Sequence, residues 1–389
     1  MKKLLLVLGF FVSFAGFLPA QVRSAHYEVI APAAVPVGAP VGGAAGSSPD
    51  AVYSAEMELR FEAFNKVFCF NPALLSSPLR VRVFADKQEY DRYVTSKLGS
   101  TRPGAVYLHY NNPVNRELVI LQGSAEEKTV VPHQAFVQFL RAFIPGAPAW
   151  IREGFAVYFT TLAFNREKNA LEYEENLSWL ETVKKSALSP EAVLQADTGG
   201  IPANFQAYAW SLVSFFLAET GSPYYRSLTD AFTVLVPGAG PQDNSRAVYG
   251  RLTLFTPIAA LTRDYNAYIA AKKTFTELID EGQKAYGAKN YAAAAELFRK
   301  AGTLKPGHYA PPYYLGLLAY EDKKYAEAEG FYKTALDYGA EKALVQYARG
   351  VNAAASGKKS EAAAFLEEAA AADSAKYKAR AEDLIKRLQ

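Results

Sequence analysis

Residues 282–306 read GQKAYGAKNYAAAAELFRKAGTLKP, and residues 316–335 read GLLAYEDKKYAEAEGFYKTA. Laid over one another they share a period of 34: Gly282 returns as Gly316 and Gly350, and Tyr291 as Tyr325. Ala294 returns as Ala328 and Ala362, Ala301 as Ala335 and Ala369; Phe298 is matched by Tyr332, and Pro306 closes the first unit. In the third unit Lys359 and Leu366 stand in the aromatic columns. Such a period calls for two helices per unit, with small residues where backbones approach closely and aromatic rings filling the space beside them. One helix pair cannot cover its own apolar face, so units stack and the last needs a polar cap. The spacing predicts units at 275–308, 309–342 and 343–376, closed by a charged helix, KYKARAEDLIKRLQ, from Lys376 to Gln389.

These columns resemble the tetratricopeptide repeat (TPR) family over about 275–376. The resemblance implies an all-α solenoid whose concave groove receives a peptide or a partner's helix. The other reading is that the units only extend the preceding domain. Tyr286, Tyr313, Tyr314, Tyr320 and Tyr347 are the candidate groove anchors, since tyrosine is among the side chains that most often anchor interfaces.

Outward from the repeats, the 389 residues carry a formal charge of +3, from 42 basic and 39 acidic side chains mixed along the chain. No block of like charge marks a nucleic-acid or anionic-membrane partner. Met1-Lys2-Lys3, the apolar run Leu4 to Phe17 and Leu18-Pro19-Ala20 have the layout of a cleaved secretory signal over 1–20. An uncleaved anchor is the alternative, though the run is short for a bilayer span. No cysteine near its end allows a lipid-modified terminus, and Cys69 is the only cysteine, which excludes an intramolecular disulfide. The expectation is an exported bacterial protein of the periplasm or cell envelope, not a lipoprotein, with no membrane span in the mature chain. Residues 21–50, rich in Ala, Pro and Gly from Ala31 to Asp50, read as a flexible linker.

Residues 51–273 have mixed character. Leu79 to Ala85 alternates apolar and charged residues as a half-buried strand does. Ala105 to Tyr110 and Glu117 to Gln122 read as a hairpin across Asn111-Asn112-Pro113. Val131 to Phe143 and Ile151 to Phe164 read as helices broken at Pro145-Gly146-Ala147-Pro148, with Phe136, Phe139, Leu140 and Phe143 on the inward face of the first.

The succession of strands, then PHQAFVQFLRAF, PAWIREGFAVYF and AYAWSLVSFFL, resembles the gluzincin metallopeptidases of the peptidase-MA-like group over about 55–270. The most specific part is Trp150, Glu153, Gly154, Ala156 and Tyr158, with a weaker echo at Tyr208, Ser211, Leu212 and Leu217. The resemblance implies an α+β zincin-like domain ahead of the TPR solenoid, a mostly helical chain overall. It also implies an H-E-x-x-H helix, two imidazoles four apart binding zinc and a glutamate activating the metal-bound water. Here the stretch reads His133-Gln134-Ala135-Phe136-Val137. His133 keeps the first ligand position and Glu153 the downstream carboxylate. Gln134, at the base position, has no useful basicity, and Val137, at the second ligand position, has no lone pair. The expectation is a pseudoenzyme with a degenerate metal site, no catalytic residue and no cofactor, and a chain that works as a protein-binding scaffold. The alternative is a zinc peptidase with an atypical site of His133, Glu153 and His109. The structural readings beside these are a core or rim role for His133 with one hydrogen bond, a strand role for His109 and a core role for Trp150. Glu153 could favour a helix's first turn or pair with Arg152 or Arg141. No P-loop, dinucleotide glycine pattern or G-x-S-x-G elbow is present, and Gly238-Ala239-Gly240-Pro241 reads as a turn. Cys69, between Phe68 and Phe70, reads as a buried small hydrophobe.

Overall fold

The computed structural model describes residues 20–31, 49–165, 167–168, 170–173, 177, 179–185 and 188–388. The chain divides into two compact units, one of Met1–Glu175 with Ser186–Asn266 and one of Asn176–Lys185 with Ala267–Gln389. The first holds a small mixed sheet and helices, the second is helical throughout, and the whole is mostly helical. The predicted signal over 1–20 falls, apart from Ala20, outside the described residues.

The sheet of the first unit contains β1 (Ala20–Arg23), β2 (Tyr27–Ala31), β3 (Leu79–Phe84), β4 (Ala105–Leu108) and β5 (Glu117–Leu121) in the order β1-β2-β3-β5-β4. The three inner strands are parallel, while β1 and β4 run antiparallel at the two edges. β3 shows the alternation read from its sequence: Leu79, Val81 and Val83 are buried, and Arg80 and Arg82 reach the opposite face. That face carries a row of paired charges. Glu28 accepts from Arg23 (2.7 Å) and Arg80 (3.0 Å), and Glu117 accepts from Arg82 (3.0 Å) and from the Tyr93 hydroxyl. β4 and β5 form the expected hairpin.

The linker expected over 21–50 is corrected at its start. Ala20–Arg23 and Tyr27–Ala31 are strands, the latter pairing with β3, and Tyr27, Val29 and Ala31 are buried. The cause is a short apolar–polar alternation whose charged member, Glu28, is neutralised only across the sheet. Residues 32–48 of the same linker lie outside the described residues.

Helix α1 (Pro49–Phe68) and α3 (Glu127–Phe143) share the apolar face of the sheet, and α2 (Lys87–Leu98) lies on the charged one. Phe61, Phe64 and Phe68 of α1 meet Phe136, Phe139 and Phe143 of α3, for example Phe64 to Phe136 at 5.4 Å between ring centroids. The inward face predicted for α3 is thus its buried face. The helix begins a turn earlier than its sequence indicated, because Glu127 accepts from Gly123 N (2.7 Å) and from the Tyr53 hydroxyl (2.6 Å) and fixes the first turn. Cys69 is corrected to exposed. Phe68 and Phe70 both turn inward, their rings 5.3 Å apart, and Cys69 between them takes a left-handed conformation (φ 53°) at the end of α1.

α4 (Ala149–Tyr158) is shorter than the predicted 151–164. The Thr160 and Thr161 hydroxyls donate back to Val157 O and Tyr158 O, competing with the helix, and Leu162–Asn165 (β6) pairs instead with Ala170–Tyr173 (β7). The chain continues through α5 (Leu180–Lys185), α6 (Pro190–Leu194), α7 (Ala196–Gly199), α8 (Phe205–Phe216), α9 (Pro223–Phe232), α10 (Pro241–Phe255) and α11 (Ile258–Ala271).

The second unit stacks α12 (Phe275–Gly287) on α13 (Tyr291–Leu304), α14 (Ala310–Glu321) on α15 (Tyr325–Asp337) and α16 (Lys342–Ala355) on α17 (Lys359–Ala372), closed by α18 (Ser374–Leu388). The 34-residue columns have a direct geometric meaning. A Cβ on Gly282 would lie 2.5 Å from the Phe298 ring, one on Gly316 2.6 Å from Tyr332, and one on Gly350 2.7 Å from Leu366. Ala294, Ala328, Ala362, Ala301, Ala335 and Ala369 are all fully buried. Tyr377 and Ala381 of α18 are buried, so the last helix covers the end of the stack. The 51–273 boundary is corrected, since α5 belongs to this unit. Lys184 donates to Glu277 (2.8 Å), which also completes the Thr274 capping box at the start of α12.

Candidate functional site

In the first unit α4 crosses α8 at Gly154. A Cβ there would stand 2.6 Å from the Ala209 carbonyl oxygen, backbone that no rotamer change can move aside. Trp150 is buried one turn earlier, 6.1 Å from the Phe216 ring of α8, and Ala156 is buried beyond. Tyr158, half-buried at the end of α4, lies edge-on to Phe159. The conspicuous motif of α4 is therefore first a helix-crossing motif. Its consequence is that Gln206, at the start of α8, reaches Glu153.

Glu153 accepts from Arg152 Nε (2.9 Å) and from Gln206 Nε2 (3.0 Å). Burial alone would raise its carboxyl, but these bonds and the Arg152 and His133 charges hold it below the usual carboxylate range. It is the fifth residue of α4, so the first-turn role does not apply, and its partner is Arg152. His133 is half-buried on α3. Burial pushes its imidazole below the ordinary value against the pull of Glu153.

Gln134 faces the sheet edge. Its Oε1 accepts from the Tyr107 N–H of β4 (3.1 Å), closing one outward backbone donor of the edge strand. The Gln134 amide is thus a structural tie between α3 and β4. Val137 is half-buried and apolar. His109, just past β4, lies beside Tyr107, with hydroxyl and Nδ1 3.4 Å apart. Burial and the Arg116 and Arg141 guanidinium groups push it down to about 4, so it is uncharged at neutral pH. Among the described residues no three His, Cys, Asp or Glu side chains converge as metal ligands would, and His109 does not join His133 and Glu153 in such a group.

Arg141 follows Val137 by four residues and His133 by eight, so all three share one face of α3. Its guanidinium is half-buried and Nε is sealed from solvent without an acceptor. Burial, then the Arg152 charge, lowers its pKa, while Tyr107 and Glu153 oppose. Arg141 does not pair with Glu153, whose bonds go to Arg152 and Gln206.

In the second unit all five candidate tyrosines are half-buried and engaged with neighbours. Tyr314 stacks on Phe298 (4.7 Å, 8°), Tyr286 donates to Glu321 (3.1 Å), and Tyr347 lies 5.2 Å from Tyr377. Tyr313 approaches Tyr332 (6.2 Å) and Tyr320 approaches Tyr325 (6.1 Å). A separate apolar groove of about 410 Å³ runs along α13, α14 and α15, lined by Arg299, Leu315, Phe331 and Tyr338 among others, and by none of the five.

No family model matches the chain, and a search of the curated proteins finds no match.

Proposed function

We propose that this chain is a non-hydrolytic binding protein of a bacterial cell envelope. Its first unit resembles a gluzincin peptidase that no longer carries out the chemistry, and its second is a TPR-type array that holds a protein or peptide partner. The observation that carries the reading is the fate of residue 134. A water-activating base must hold its oxygen toward a metal-bound water, whereas Gln134 is not basic and its oxygen is occupied by the Tyr107 N–H. Val137 cannot ligate a metal.

The support for the array is the 34-residue column geometry, in which each glycine admits the aromatic or leucine sixteen residues later. The test joins two measurements on the full chain: zinc content of the purified protein, and cleavage of a peptide mixture with and without chelator. Little zinc and intact peptides are expected. Chelator-sensitive cleavage, with one zinc per chain lost in His133→Ala, would establish the alternative site of His133, Glu153 and His109. Crosslinking in the native envelope then identifies the partner of the array.

A further inference from the structure

The groove of about 410 Å³ in the second unit is walled by α13 and α15, with the first turns of α14 between them. Phe331, Thr334 and Tyr338 line it from α15, spaced three and four residues apart on one helix face, and Leu315 lines it from α14. The Thr303 and Thr334 hydroxyls donate to Arg299 O (3.2 Å) and Gly330 O (3.1 Å), so they are spent on their own helices. Tyr338 is 46% exposed. Arg299 brings the only charge to this lining. Its guanidinium has no ion-pair or hydrogen-bond partner among the described residues, since neighbouring Glu296 binds Lys300 (2.7 Å).

One repeat later the same place is filled. Thirty-four residues on, Leu315 is replaced by Arg349, Phe331 by Phe365, Ala295 by Glu329 and Thr334 by Glu368. Arg349 lies 4.0 Å over the Phe365 ring and binds Glu329 (2.6 Å). Lys333, the counterpart of Arg299, also reaches Glu329 (3.6 Å). Glu368 accepts from Gln346 (2.7 Å) and Lys342 (3.1 Å). The first interval therefore lacks what the second supplies to itself, a carboxylate beside its cation and a charged network over its phenylalanine.

We infer that this groove seats an amphipathic helix of a partner protein, with apolar residues against Leu315, Phe331 and Tyr338 and one Asp or Glu at Arg299. The inference rests on the reading that the array holds a polypeptide, and names the place and the chemistry of the contact. A channel between two helices offers ridges into which a third helix packs. Aromatic side chains in such a channel are the usual anchors. The acid is the group that Lys333 has and Arg299 is without, and a guanidinium takes a carboxylate through paired hydrogen bonds.

The experiment is phage-display selection on the full chain from a library of peptides of about sixteen residues, roughly four helical turns. Fluorescence anisotropy of the synthesised consensus peptide follows. Enrichment of sequences with apolar residues at three- and four-residue spacing and one Asp or Glu is expected. Tyr338→Ala should weaken binding of that peptide about tenfold. Arg299→Gln should weaken it about two- to fivefold, an effect absent when the peptide's acid is replaced by its amide. Ala295→Glu with Leu315→Arg, which copies the filled interval, should abolish binding. Circular dichroism checks each variant, and exposed Tyr338 carries the test should the double variant fail to fold. A consensus without an acidic residue, or a peptide bound by Tyr338→Ala as tightly as by the wild type, overturns the inference and leaves the array reading standing. Failure to enrich any peptide on the wild type overturns both.

Discussion

Gly316→Ala and Gly330→Ala make the same chemical change inside helices of the same unit, and their difference isolates one physical effect. Replacing a mid-helix glycine by alanine favours the helix by about 0.5–1 kcal/mol, through backbone entropy. Gly330 in α15 is exposed, with nothing within 4 Å of an added methyl, so Gly330→Ala should be stabilising by about that amount. At Gly316 the methyl would lie 2.6, 2.7 and 3.2 Å from three atoms of the Tyr332 ring, which is itself only 1% exposed and has little room to turn. Overpacking of this kind costs about 1–3 kcal/mol. Because the propensity gain is common to both, the gap between the two variants is the overpacking cost itself, about 1–3 kcal/mol, with Gly316→Ala the less stable. The assay is urea unfolding followed by circular dichroism at 222 nm, fitted for the transition of the helical unit and checked by proteolysis of that unit. Equal stabilisation by the two substitutions would refute the argument that the glycine column exists to admit the ring.

The double substitution Gln134→Glu with Val137→His creates an H-E-x-x-H sequence at 133–137; under the proposed reading it should raise zinc content to about one per chain, above that of the wild type, by elemental analysis. Gly154→Ala places a methyl against backbone of α8 and should destabilise the first unit by about 1–3 kcal/mol in denaturant unfolding. Burial would raise Glu28, but hydrogen bonds from Arg23 and Arg80 outweigh it and hold the carboxyl below its ordinary value. Its stabilising contribution is therefore present above about pH 4 and lost as pH falls further; acid unfolding of Glu28→Gln should show a shallower pH dependence there than the wild type. Exposed Cys69 should react with a thiol reagent in the native protein as fast as in urea to within about tenfold, and marked protection would place it back in the core.

The repeat array was legible in the sequence because its information is local and periodic. Gly282, Ala294 and Phe298 recur at one spacing, and each meets a partner within its own unit, so the columns map onto contacts directly. The hairpin of β4 and β5 and the inward face of α3 were legible for the same reason. That Gln134 and Val137 can supply neither a strong base nor a metal ligand was also visible, since the type of a side chain bounds its chemistry wherever it is placed. What the sequence left open depends on partners distant along the chain. β2 hides beside an Ala/Pro-rich stretch, because its pairing strand lies some fifty residues on. Gly154 reads as a motif residue until α8 is laid across it, and Gln134 as a lost base until the Tyr107 N–H is brought to its oxygen. Arg141 stands eight residues from His133 in any helix, but only tertiary structure buries its Nε away from any acceptor. Spacing along a chain fixes which side chains share a face, while desolvation and charge crowding arise only when separate elements close on the same volume.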